Sequence, residues 1–198
     1  MRPIDQDGIL KTVVTFLEMT KRPTTPTPPR PALPIALMRA DNPTTAFYWF
    51  LYDSVGEPWL WFERRLLSDD DLRQIIEDKR VELYVFYIGG VPAGYSELDC
   101  RTPGEVEIAY FGLMPEFIGR GCGRYFLRWT IDQAWIREPD RVWVHTCDLD
   151  HPRALRTYQK AGFEPYRQEP EEFADPRLNG IFGNWSDPRP PIGNGEKA

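Results

Sequence analysis

Proline sets the limits within which this chain can fold. Six prolines lie between positions 23 and 34, and six more between 165 and 191. Each lacks a backbone donor and biases the residue before it toward extended conformations, so neither stretch suits a helix interior or a central strand. Regular structure is therefore expected mainly over residues 35–168. Residues 23–34 read as a linker and 169–198 as a proline-rich C-terminal tail. Ahead of the linker, residues 11–20 (KTVVTFLEMT) are rich in β-branched and aromatic side chains. Residues 1–22 are accordingly read as an added N-terminal strand, expected at a sheet edge.

Between the two proline regions, strand and helix patterns alternate. Residues 36–39 suit a short strand. Residues 42–51 suit a helix capped by Asp41 or Asn42, with Pro43 at its first position. Ser68 followed by Asp69, Asp70 and Asp71 opens a second helix through about residue 79, its acids placed at the positive end of the dipole. Strands follow at 82–88, 92–99 and 106–114, with Gly89-Gly90 marking a hairpin. A helix at 121–137 carries Gly123, Leu127, Ile131 and Trp135 as one inward stripe. A strand at 142–146, a helix at 152–161 stopped by Gly162, and a strand beginning at 163–166 complete the pattern. The expectation is one α/β domain of the α+β type, a mixed layer fold around one sheet.

Charge and cysteine content narrow the functional classes. The 198 residues carry a formal charge of -6, which argues against a domain whose main task is to hold nucleic acid. Cys100, Cys122 and Cys147 form no CxxC pair, and two histidines are too few for a zinc cluster, so no metal is expected. Unpaired thiols, acidic residues Asp5 and Asp7 near the start, and the lack of a long apolar run point to a cytoplasmic protein without membrane contact.

The stretch that carries chemistry is residues 107–127, EIAYFGLMPEFIGRGCGRYFL: a strand, a proline, a glycine-rich turn and a helix. Gly119, Gly121 and Gly123 let a ligand approach the backbone, and the first amides of the following helix point outward with partial positive charge. Arg120 and Arg124 add full charges, so the turn suits a pyrophosphate. It is neither a Walker loop, because Arg124 and Tyr125 follow Gly123, nor a dinucleotide fingerprint, because Arg124 breaks that spacing.

A second stretch, residues 151–163 (HPRALRTYQKAGF), lies on a later helix. Together the two resemble the GNAT superfamily of acyl-CoA N-acyltransferases. The family's strand ends in Val-x-Pro, its loop reads Arg/Gln-x-x-Gly-x-Gly/Ala, and its later helix reads Asn-x-x-Ala-x-x-x-Tyr-x-x-x-Gly-Phe. Leu113-Met114-Pro115, Gly121 and Gly123 match the first two patterns, and Ala154, Tyr158, Gly162 and Phe163 match the third. The resemblance spans roughly residues 36–166 and implies a central, mostly antiparallel sheet with helices on both faces. Three departures stand out. Ile118 occupies the loop's Arg/Gln position, His151 replaces the Asn, and Gln168-Glu169-Pro170 with Pro176 are expected to interrupt the last strand.

The resemblance implies acetyl-CoA as co-substrate, bound by Phe111, Leu113, Gly119, Arg120, Gly121, Cys122, Gly123, Arg124 and His151. The Leu113 amide would polarise the thioester carbonyl. Tyr158 would act as general acid toward the departing thiolate, the alternative being that it only packs or holds the sulfur. An alkyl ammonium is about one part in a thousand neutral at pH 7, so a base is useful. Glu107 is the first candidate, with Glu97 or water as alternatives. A nucleophilic cysteine is not expected, since His145 points away from Thr146 and makes no convincing Cys/His pair. Most of the aromatic residues between 47 and 62 read as core. Some would line a pocket for an apolar amine, with Asp53, Glu57 and Glu63 attracting a cation.

The expected reaction is direct transfer of an acetyl group to a primary amine of a small molecule, with no nucleic acid or membrane partner. Many relatives pair, so a homodimer is a further expectation of the resemblance. An acyl-CoA-binding regulatory module without turnover is the alternative. Acetylation of charged tRNA, known among toxin-like relatives, is disfavoured by the acidic balance.

Overall fold

The structure is a computed structural model that describes residues 8–178 and 180–182. Among these residues seven strands form one sheet. They are β1 (Ile9–Met19), β2 (Ile35–Arg39), β3 (Val81–Ile88), β4 (Val91–Asp99), β5 (Glu105–Leu113), β6 (Arg141–Cys147) and β7 (Glu164–Ala174). Their order across the sheet is β2-β3-β4-β5-β6-β1-β7. Only β5 and β6 run parallel; every other pair is antiparallel.

Helices α1 (Thr45–Gly56) and α2 (Asp69–Ile76) cover one face, where Tyr48, Leu51, Val55 and Leu72 meet Leu83, Val85 and Tyr95. Helices α3 (Cys122–Ala134) and α4 (Ala154–Ala161) cover the other, where Leu127, Ile131 and Tyr158 meet Tyr84, Leu98, Ile108 and Val144. Leu83 and Val85 face one helix layer while Tyr84 faces the other, the period-two alternation of a strand covered on both sides. Thr44 rather than Asn42 caps α1, accepting a 3.2 Å bond from the Phe47 amide. Asn42 instead takes a left-handed turn conformation with φ 50°. Ser68 caps α2 in the same way, at 3.1 Å from the Asp71 amide.

Two expectations need correction. Strand β1 is not at an edge: it lies between β6 and β7, with Leu17 and Met19 buried against the α3–α4 layer and Leu10 and Val14 buried on the other face. Strand β7 is not interrupted after residue 166 but runs to Ala174, so the sheet reaches into the segment read as tail. It survives its prolines because it is the edge strand, where alternate amides need no partner. Pro165 and Pro170 are five apart, an odd spacing that should turn one of them inward. An extra residue, Tyr166, falls at the register shift between Phe16 and Leu17 and restores the parity. The remainder of the expected tail, 183–198, lies outside the described residues, as do residues 1–7. The proline-rich linker is laid against α3, where Arg128 donates to the carbonyls of Thr25 (2.8 Å) and Pro23 (3.2 Å).

Candidate active site

Strands β5 and β6 pair over only three positions, Glu105 with Arg141, Val106 with Val142 and Glu107 with Trp143. Beyond Glu107 they part, β5 staying with β4 to Leu113 and β6 staying with β1 to Cys147. The divergence has a local cause. Glu97 opposes Tyr110 and Leu98 opposes Ile108, so Ala109 is an extra residue that bends β5 away from its parallel neighbour. Among the described residues, 108–113 thus have no strand partner on that side, and a cavity of about 870 Å³ opens in the gap.

One end of this cavity is the glycine-rich turn. Gly119 and Gly121 have φ of 85° and 78°, which a side chain would strain, and a Cβ on either would meet open space. Gly121 ends the turn as the residue preceding α3, so the first amides of that helix are left for a ligand. Ile118, Gly119, Gly121, Gly123 and Arg124 line the cavity, as do Phe111, Leu113 and His151. Two residues expected here have side chains elsewhere. The Arg120 guanidinium lies off the cavity over the Phe117 ring, 5.0 Å from its centroid. Cys122 is fully buried in the cluster that contains Phe126, one helical turn on. The left-handed step at Gly121 separates them, with Arg120 turned out and Cys122 turned into the core.

Tyr158 enters from α4. It is 8% exposed, meets Phe111 and Phe163 edge to face at 6.4 and 6.0 Å, and lines the cavity. Its hydroxyl makes no hydrogen bond among the described residues. Burial, and then the charge of Asp150, hold it well above the usual phenol range, so it stays protonated. His151 replaces the family's Asn by accepting, through Nδ1, a 3.1 Å bond from the Arg153 amide. Its ring packs on Trp59 at 5.0 Å.

The other end of the cavity is assembled from distant segments. Residues 57–66 contribute Trp59, Leu60, Trp61, Phe62 and Glu63; β1 contributes Thr12, Val14 and Phe16; β6 and its following loop contribute Trp143, His145, Cys147 and Asp150. Polar bonds pin the 57–66 segment. Trp61 Nε1 donates to Asp150 at 3.0 Å, and Arg64 donates to Glu97 at 2.6 Å and to the Tyr48 hydroxyl at 3.1 Å. Tyr48 in turn donates to Glu97 at 2.7 Å. Glu97, a candidate base from the sequence, is therefore wholly buried in a charge-paired cluster and lies off the cavity.

Glu107 also lies off the cavity lining. Its Oε1 stands 3.3 Å from Nδ1 of His145, and its carboxylate borders a second cavity of about 300 Å³ with Asp99, Arg101, Thr102, Glu105 and Trp143. His145 itself faces the main cavity, with 42% of its side chain open. Burial alone would lower its pKa, but the Glu107 contact and the charges of Glu63 and Asp150 outweigh it and raise the imidazole above its usual value. The imidazole is both deep and accessible because the surface left open is cavity surface. Of the acids expected among the aromatic residues, only Glu63 faces the cavity. It accepts from Tyr52 at 3.3 Å, and burial, countered in part by the charge of His145, raises its pKa. Asp53 pairs with Arg65, and Glu57 is buried.

Asp150 and the cavity position of His145 are absent from the sequence reading. Alternation already placed His145 on the Trp143 side of its strand, but that this side borders a cavity depends on the splay. Cys147 lines the cavity as an inert thiol, pushed up to about 12 by burial and by Asp150. Among the described residues, no group of three or more His, Cys, Asp or Glu could hold a metal, and no helix is long and apolar enough to cross a membrane.

The sequence matches the model of the acetyltransferase (GNAT) family over residues 45–163. No curated protein matches it. Among solved structures, a GCN5-related N-acetyltransferase from Sphaerobacter thermophilus superposes with a TM-score of 0.60 at 20% identity, covering 81% of this chain and 51% of that one. A GCN5-related N-acetyltransferase from Kribbella flavida gives 0.55 at 16%, covering 87% and 62%. A conserved protein of unknown function from Staphylococcus epidermidis gives 0.54 at 16%, covering 83% and 62%. At these identities the likeness is one of fold, and the chain spans between about half and two thirds of each of these longer proteins.

Proposed function

Since the chain belongs to the GNAT acetyltransferase family, we propose that it transfers the acetyl group of acetyl-CoA to the primary amine of a small, cationic acceptor with an apolar body. The observation that carries this reading is the gap between β5 and β6, which has a glycine-rich turn at one end and acids among aromatic rings at the other. The fit to the donor is supported by the open space at Gly119 and Gly121, by the amides at the start of α3 and by Arg124 on the cavity wall. These groups would hold the pyrophosphate, with the free edge of β5 along the pantetheine arm.

In this reading the Leu113 amide polarises the thioester carbonyl. The acceptor nitrogen attacks that carbon directly, and the C–S bond breaks without a covalent enzyme intermediate. Tyr158 protonates the departing sulfur and is reprotonated as the new amide loses a proton. The tetrahedral centre passes between a hydroxyl kept protonated by burial and a cavity end of net negative charge. Glu63 and Asp150 favour a cationic acceptor, and Trp59, Trp61, Phe62, Phe16 and Tyr110 supply apolar and ring-face contacts for its body.

The test is thiol release from acetyl-CoA across a panel of arylalkylamines, alkylamines, polyamines, amino acids and short peptides, with donor binding followed by calorimetry. Release with arylalkylamines or alkylamines and not with anionic acceptors is the expected result. Donor binding with no release from any amine would favour a regulatory module, a reading to which Ile118 on the cavity wall lends support. No donor binding would overturn both.

A further inference from the structure

We propose that His145 is the base that takes the acceptor's proton, with Glu107 as the positioning residue that orients it. The inference rests on the transferase reading above and follows from how His145 and the carboxylates of Glu63, Glu97, Glu107 and Asp150 are engaged. Glu97 is sealed behind Arg64 and Tyr48. Both oxygens of Asp150 are occupied, Oδ1 by Trp61 and Oδ2 by Thr146 Oγ1 at 2.6 Å and the Cys147 amide at 3.2 Å. Glu107 does not reach the cavity lining. Glu63 reaches it at the aromatic end and is tied to Tyr52. Glu171 and Glu172 line the cavity from the exposed edge strand β7, Glu172 paired with Lys11 at 3.2 Å. His145 is the imidazole on the cavity wall with a free lone pair, since Glu107 engages Nδ1 and Nε2 makes no hydrogen bond among the described residues.

Glu107 fixes more than direction. A carboxylate at Nδ1 keeps the proton on that nitrogen and so leaves Nε2 as the acceptor. The groups packed around the ring are mostly acidic or neutral. Glu107 approaches from β5, Glu63 from the 57–66 segment and Asp150 from the loop after β6. From β1 comes the uncharged Phe16 ring at 5.8 Å, with Arg167 of β7 stacked on that ring, 3.8 Å from its centroid. Trp143 lies 6.1 Å away on the same strand, and Arg141 sits against it. This environment stabilises the imidazolium that forms when the proton arrives. Glu107 also borders the second cavity, where Thr102 is exposed, so the carboxylate stands between the base and bulk water.

The protons balance. An ammonium acceptor loses one proton to Nε2 of His145, and from there to water, which makes it a nucleophile. Its nitrogen forms the bond to the acetyl carbon as the bond to sulfur breaks. The second nitrogen proton leaves as the amide forms, and the sulfur receives one through Tyr158. Acetyl-CoA and R–NH₃⁺ thus give the acetamide, free CoA thiol and one proton released to solvent.

The chain has two histidines, so each imidazole can be followed by NMR in the intact protein. In the wild type, the His145 resonance should titrate above 6.5, and kcat/KM for an amine taken from the panel should rise with pH through that same value. Glu107→Gln should move both the resonance and the acid limb to lower pH. His145→Gln should lower kcat/KM by about a hundredfold or more and remove the limb, with acetyl-CoA affinity intact as evidence of folding. Added imidazole should restore part of the rate in His145→Gly. A wild-type limb retained in His145→Gln, or a His145 titration indifferent to Glu107→Gln, would overturn the pairing while leaving transfer itself standing. An absence of thiol release with every amine overturns the transferase reading, and the base with it.

Discussion

One half of the cavity is a single run of chain, residues 108–124, in which strand, turn and helix start follow one another. The other half is drawn from residues 12–16, 59–63, 143–150 and 171–173, brought together by the sheet order and by the bonds that pin the 57–66 segment. The first half is built from backbone: an unpaired strand edge, left-handed glycines and a helix start. The second is built from side chains held by side chains, with Arg64 on Glu97 and Trp61 on Asp150. A backbone site tolerates exchange of most side chains but not of its glycines, whereas a side-chain site depends on every anchor. The two halves should therefore fail differently when mutated.

The largest effect is expected at the anchor beneath the second half. Glu97→Ala leaves Arg64, itself 14% exposed, without its partner, and should cost about 3–5 kcal/mol of stability in a urea titration. A loss under about 1 kcal/mol would mean that the cluster does not hold the 57–66 segment, and the contrast would break. Tyr158→Phe comes next. It should lower kcat by about a hundredfold while leaving acetyl-CoA affinity within about twofold, because the ring contacts with Phe111 and Phe163 survive. Unchanged kcat across pH would remove Tyr158 as the acid.

Gly121→Val tests the backbone half. Forcing a β-branched residue to φ 78° costs about 1–3 kcal/mol and puts methyl groups into the open space beside the turn. Acetyl-CoA should bind about tenfold more weakly, with the KM of the amine unaltered. A shift in the amine's KM instead would show that the two halves are not separable. The smallest effect is expected for Glu63→Gln, about a fivefold rise in KM for cationic acceptors, on the order of 1 kcal/mol of lost attraction. Neutral acceptors should be indifferent, and an equal rise for both would assign Glu63 to packing.

The same contrast governs what could be read from the sequence. The 107–127 stretch announces its turn, because positive φ demands glycine and a helix start demands a capping geometry, both visible within a few residues. Tyr158 was legible through its spacing from Ala154 and Gly162. The interior placement of β1 was not. KTVVTFLEM alternates as well at an edge as in the middle, and only its pairing with segments more than a hundred residues away decides. The continuity of β7 was hidden by two prolines whose parity is repaired by one bulged tyrosine. Arg120 and Arg124 look equivalent as letters, yet a left-handed glycine between them sends one over Phe117 and the other to the cavity. Glu107 stood out as an acid on the right strand, but its contact is with His145, and that depends on where two strands diverge.

Strand β1 carries a consequence for how the molecule is made. Val14 pairs with Cys147 on one side and with Glu169 on the other, so β1 leaves the ribosome well before either of its neighbours is made. At about 5–20 residues per second, synthesis of the chain up to β6 takes about 7–27 seconds, during which an alternating β-rich segment has neither neighbour. The β2–β5 half of the sheet is complete by Leu113 and can form in the meantime, while the half holding His145 closes only after translation has passed Ala174. Nascent chains stalled at residue 140 should therefore be cut by protease within β1 and protected within β3 and β4. Equal protection of all three would mean that β1 finds a provisional partner on the ribosome.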